Sequence, residues 1–153
     1  MSDPIVYQSA SARFALPFLF AGQAQKEFFV NEALARLDLL LHPAVEGERT
    51  APPDTPGEGQ CWLITEPAEG DWHGHAGMIA GYVGGDWTFL APSPGMRLWD
   101  RSTGQALCRM EDQWRRADEP AAPVGGAIVD SEARAAIVNL IASLGHAGIF
   151  SRD

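Results

Sequence analysis

Two stretches of the chain repeat apolar residues every three or four positions, and between them the apolar residues come in short runs broken by glycine. In the first stretch Val30, Ala33, Leu34, Leu37, Leu40 and Leu41 draw one apolar stripe, which predicts a helix over 23–42. Gly22 is an acceptable N-cap, Glu32 and Arg36 pair at (i, i+4) on the other side, and Pro43 ends the helix after His42. Phe28 and Phe29 point in adjacent directions, so at least one of them falls off the stripe. In the second stretch Ala133, Ile137, Leu140, Ile141 and Leu144 share a face. A C-terminal helical segment over 128–145 follows, with Asp130 as its cap, Glu132 in its first turn and Gly145 as its stop.

The middle of the chain reads as short strands, at 60–65, 77–83, 86–91, 97–100, 105–110 and 113–116. Gly84-Gly85 is a two-residue hairpin signal, and residues 101–104 form a second turn. Proline- and glycine-rich connectors at 43–59 and 117–127 bound this region. The expected class is α+β: an extended arm over 1–22, the helix over 23–42, a β-rich module over 60–116 and the C-terminal helix. The module is an antiparallel meander or small barrel, and the whole is one compact domain with an appended arm and helix.

At 153 residues the chain suits a single modest domain, and 16 glycines with 11 prolines favour turns over a helix bundle. A net charge of −9 repels phosphate, so no nucleic-acid partner is expected. No apolar run approaches membrane-spanning length, and Met1-Ser2-Asp3-Pro4 opens no secretory signal, so no membrane association is expected either. Cys61 and Cys108 sit in separate strand-like runs and read as two buried, reduced thiols.

Candidate chemistry is sparse. Trp62, Trp87 and Trp99 lie inside strand patterns and read as core. Trp72, between Asp71 and His73 in a glycine-rich loop, is the better choice for an exposed aromatic that stacks on a sugar ring. Asp71, Trp72 and His73 therefore form the candidate glycan-binding set. His73 and His75 would face one side of an extended segment, but no third ligand is evident, so no metal and no cofactor are expected. Glycan cleavage needs two carboxylates across a cleft, and Glu66, Glu69, Asp71, Glu111 and Asp112 read instead as solvated surface. No catalytic motif is present, so no enzyme is expected. The arm carries Phe14, Leu16, Phe18 and Phe20, and the last helix carries Ile137, Leu140 and Leu144. Apolar side chains of this number need burial on the chain's own body or on a neighbour, and in the second case these are the candidate oligomer or capsid contacts.

Leu16-Pro17, Gly22-Gln23-Ala24-Gln25-Lys26-Glu27, Asn31-Glu32-Ala33-Leu34 and Leu37-Asp38 reproduce the pattern LPxxxxGQAQKExxxNEALxxLD. That pattern resembles the opening of a domain of unknown function found in alphaproteobacterial prophage tail proteins and gene-transfer-agent head-spike proteins. The likeness continues through Pro52-Pro53, Gly84-Gly85-Asp86-Trp87 and Gly95, fades near Trp114, and returns in the ending from Gly125-Gly126 to Ile149. The resemblance implies a structural protein of a phage-like particle, assembled in a bacterial cytoplasm and resident in the virion or gene-transfer-agent particle. It implies a head-spike base or adaptor at capsid vertices, homo-oligomeric, with a pentamer favoured over a trimer. The implied partners are a capsid protein, another spike protein and the capsular polysaccharide of a recipient cell. A tail-tip glycan- or receptor-binding module is the alternative, ahead of a polysaccharide-degrading enzyme. The polar side chains of the GQAQKE segment are expected to tie the arm to the β-module.

Overall fold

The computed structural model describes residues 9–22, 26–126 and 130–151. Parts of the expected arm (1–8), of the first helix (23–25) and of the approach to the last (127–129) lie outside the described residues. Two helices and eight strands, an α+β arrangement, form among the described residues. The chain divides after Pro92 into two compact units.

In the first unit, α1 (Lys26–Leu40) leads into β1 (Ala44–Val45) and β2 (Glu48–Arg49), two short strands in a segment expected to be all loop. They are followed by β3 (Cys61–Ile64), β4 (Ile79–Val83) and β5 (Asp86–Leu90). Their sheet runs β2-β3-β4-β5. β3, β4 and β5 are antiparallel, as a meander requires, and β2 adds a parallel edge to β3. Val83 pairs with Asp86 across Gly84 and Gly85, whose φ values of 64° and 85° suit the two-residue turn that glycine permits.

Alternation along these strands sends side chains to two faces. One face builds the core, with Trp62, Ile64 and Ala80 under the loop residue Trp72, and with Trp87, Phe89 and Met78 packed against them. The other face carries Cys61 and Gly81, which are cross-strand partners, and receives Leu39 from α1. β3 is buried at all four positions because both faces are covered.

The arm turns back on itself rather than running straight. Ala10 and Pro17 form an isolated antiparallel bridge, flanked by hydrogen bonds from Ser11 N to Leu16 O (2.9 Å) and from Phe18 N to Ser9 O (3.1 Å). Of the stripe that periodicity draws on α1, Val30, Leu37 and Leu40 are exposed and Leu34 and Leu41 half-buried, and the buried residues of the helix are Asp38 and Leu39.

The second unit contains β6 (Arg97–Asp100), β7 (Gln105–Met110) and β8 (Gln113–Arg115), antiparallel in that order, and α2 (Ser131–His146). Leu98 and Leu107 pair across β6 and β7 and are buried, as are Asp100 and Gln105. Asp130 caps α2 by accepting from Ala133 N at 2.9 Å, as its position predicts. The stop comes later than expected: Gly145 stays helical, and Gly148 (φ 73°) takes the left-handed position. Ile149 N then donates to Leu144 O and Gly148 N to Gly145 O, both at 2.9 Å, which satisfies the last carbonyls. The Trp99 ring lies where a side chain at 148 would start, so only glycine fits there.

Candidate functional site

The most ordered polar feature of the first unit is a seam between arm and helix. Glu27, Asn31 and Asp38 are four and then seven residues apart, which places them within about 40° of one another around α1. Each takes a backbone N–H from the returning arm. Glu27 Oε1 accepts from Gly22 N (3.2 Å), Asn31 Oδ1 from Leu19 N (2.8 Å), and the Asp38 carboxylate from Arg13 N (2.9 Å) and Phe14 N (2.8 Å). Asn31 Nδ2 returns a bond to Leu19 O at 3.0 Å, and Ser11 Oγ donates to Asp38 at 2.5 Å. Arg13 closes the seam by donating to the carbonyls of Leu39 and His42 at the helix end (2.8 and 3.1 Å). The described polar residues of this motif thus tie the arm to α1 itself, not to the β-module. Gln23 and Gln25 lie outside the described residues.

With the arm on the polar side, the apolar side of α1 stays open. Phe28 and Phe29 are 68% and 72% exposed and meet edge to face at 5.7 Å. Periodicity expected at least one of the two off the stripe, and both are on the surface. α2 has no buried residue at all; Ile137, Val138 and Leu140 are exposed and Leu144 is half-buried. Of the arm contacts, Phe14 and Phe20 are exposed, while Leu16 and Phe18 are half-buried. Exposed apolar residues in this density are characteristic of surfaces that bury against a partner.

The candidate glycan set is split by burial. Asp71 and His73 are exposed, but Trp72 has 0% exposure. Trp72 packs edge to face on Trp87 at 5.1 Å and lies 6.4 Å from Trp62, so the expected exposed aromatic is a core residue. Glycine-rich flanks suggested a loop tip; the short 3-10 turn Gly70–Trp72 instead folds the indole inward. His73 borders a hollow of about 440 Å³ with Glu66 and Ala68. His75 leaves its expected partner His73 and stacks flat on Phe89 at 3.7 Å. No cluster of three metal-ligating residues occurs among the described residues. Trp62 is buried and Trp87 half-buried, as strand residues should be, whereas Trp99 is exposed. Cys61 is buried, Cys108 is only half-buried, and they form no disulfide.

In the second unit the charged centre is Asp100, fully buried. Burial alone would raise its pKa, but the Ser102 hydroxyl (2.6 Å), the Ser102 N–H (2.9 Å) and the Arg116 guanidinium (2.8 Å) outweigh it and hold the pKa below the ordinary carboxylate value. Arg116 also donates to Thr103 Oγ1 at 3.1 Å, so the pair closes the 101–104 turn. This is structural chemistry: the carboxylate is saturated by protein donors.

No curated protein matches the chain at a significant level. Residues 30–115 do match a protein family, from within α1 to the last residue of β8. The chain therefore belongs to the family described as protein of unknown function (DUF2793).

Proposed function

We propose that this protein is a non-enzymatic structural component of a phage-like particle of the gene-transfer-agent kind. Its place there is the base or adaptor of a head spike at the capsid vertices. The observation that carries the reading is the open apolar surface of both helices, with Phe28, Phe29 and Leu37 on α1 and Ile137, Val138 and Leu140 on α2. A helix of 16 residues with no buried side chain gains little from its own fold, because packing of an apolar face supplies most helical stability. The faces are satisfied by neighbouring copies and by capsid or spike partners, in a homo-oligomer whose fivefold form matches a vertex. The arm motif that resembles gene-transfer-agent spike proteins has a structural job, in the seam of Glu27, Asn31 and Asp38.

Attachment to capsular polysaccharide is then a property of the assembled spike, through many weak contacts rather than one deep site. Burial of Trp72 removes the strongest single-site argument for a tail-tip glycan module. Electron microscopy of particles from a producing strain, with the chain labelled, tests the placement. Label at the capsid vertices supports it; label confined to the tail tip, or particles without the chain, refutes it.

A further inference from the structure

The three strands of the second unit have one covered and one open face. Leu98, Asp100, Gln105 and Leu107 point to the covered side. The alternate positions Arg97, Trp99, Ala106, Cys108, Met110 and Arg115 make up the other. Arg97 pairs with Cys108 on β7, and Cys108 pairs with Arg115 on β8, so one row across the sheet reads arginine, cysteine, arginine. The two guanidinium-bearing strands are about 10 Å apart, two strand spacings. Neither arginine has an ion-pair partner among the described residues, in a chain of net charge −9. Between them lies a hollow of about 320 Å³ floored by Ala106, Cys108 and Met110 and bordered by Ile149. A second hollow, of about 450 Å³, shares Cys108, Met110 and Arg115 and continues toward Pro94 and Glu111.

We propose that this hollow binds a free organic acid: one carboxylate on an apolar body. Two unpaired guanidinium groups select an anionic head, and charge-assisted bonds to arginine are the strong ones. The thiol, thioether and methyl groups of the floor select an apolar body and offer a sugar no hydrogen-bond acceptors to replace water. A peptide strand fits less well. β7 is the middle strand of the three, and its backbone groups at Cys108 are committed to β6 and β8, so they cannot pair with an added chain. The volume falls at the lower end of the range for small-molecule sites. Glu111 lines only the second hollow and disfavours an acid head there, which leaves the head to Arg97 and Arg115 of the first.

Cys108 reports on occupancy directly, since it lies in the floor and is partly accessible while Cys61 is buried. The experiment follows alkylation of Cys108 by iodoacetamide in the full chain, by mass spectrometry, with decanoate or decanol added. Decanoate slows alkylation in a saturable way and decanol does not. Arg97→Gln and Arg115→Gln each weaken the decanoate midpoint by about tenfold, the effect of losing one charge-assisted bond. Ala106→Leu, which keeps both arginines and fills the floor, abolishes the protection. Equal protection by decanol, protection that survives loss of both arginines, or no protection by decanoate overturns the assignment. None of these outcomes depends on how the protein associates.

Discussion

Leu39 of α1 sits so close over Gly81 of β4 that a Cβ on Gly81 would fall 2.4 Å from Leu39 Cδ1. Gly81 is extended strand, not left-handed backbone, so glycine is required there for space rather than for conformation. Gly81→Ala is expected to destabilise the protein by about 1–3 kcal/mol through overpacking. Leu39→Ala removes a side chain that is only 2% exposed and costs about 2–5 kcal/mol. The two are coupled: in the Leu39→Ala background, Gly81→Ala has room and costs far less than alone. Urea denaturation of the four proteins of this cycle measures the coupling, and simple additivity would show that the contact does not exist.

The Asp38 carboxylate takes three donors from the arm, at Ser11, Arg13 and Phe14. Asp38→Ala leaves all three without their partner, at a cost on the order of 3 kcal/mol. The loss is local. Amide exchange at Arg13 and Phe14 accelerates in the variant, while exchange at the β3–β4 pairs such as Cys61 and Gly81 stays slow. Uniform acceleration across the first unit would mean that Asp38 supports the core rather than the arm.

Much of this was legible in the residues. The strands at 97–100 and 105–110 and the Gly84-Gly85 turn needed only local rules, since alternation and turn chemistry are written in adjacent positions. The short strands Ala44–Val45 and Glu48–Arg49 were hidden, because a two-residue strand in a proline-rich segment has no period to detect. What α1 packs against was hidden for a deeper reason. Periodicity identifies an apolar stripe but not its partner. In this chain the helix turns the polar residues Asn31 and Asp38 to its own arm and leaves Leu37 and Leu40 of its stripe exposed and Leu34 and Leu41 half-buried. Trp72 shows the same limit in reverse, since a tryptophan between aspartate and histidine gives no local sign that a 3-10 turn will bury it.

Asp100 makes part of the second unit sensitive to acid. A carboxylate held below its ordinary pKa contributes stability that is fully present above the unfolded value of 3.8 and is lost as pH falls through the lower folded value. Protonation removes the ionic partner of Arg116 and weakens the acceptor for Ser102. Exchange of the Ser102 and Gln105 amides therefore rises as pH drops below about 4, after correction for intrinsic rates. Asp100→Asn should raise exchange at neutral pH and flatten that dependence. A wild-type profile without an acid limb would mean that Asp100 does not anchor the turn through its charge.

Association through open apolar faces underlies the proposed role, and the mass of the purified 153-residue chain in solution tests it most directly. Light scattering coupled to size-exclusion chromatography should return a multiple of 16.5 kDa, with a fivefold multiple the favoured value. Ile137→Glu combined with Leu140→Glu, which charges an exposed face and should leave the fold intact by circular dichroism, should bring the mass down to a single copy. A wild-type protein that stays at 16.5 kDa across all accessible concentrations would contradict that role.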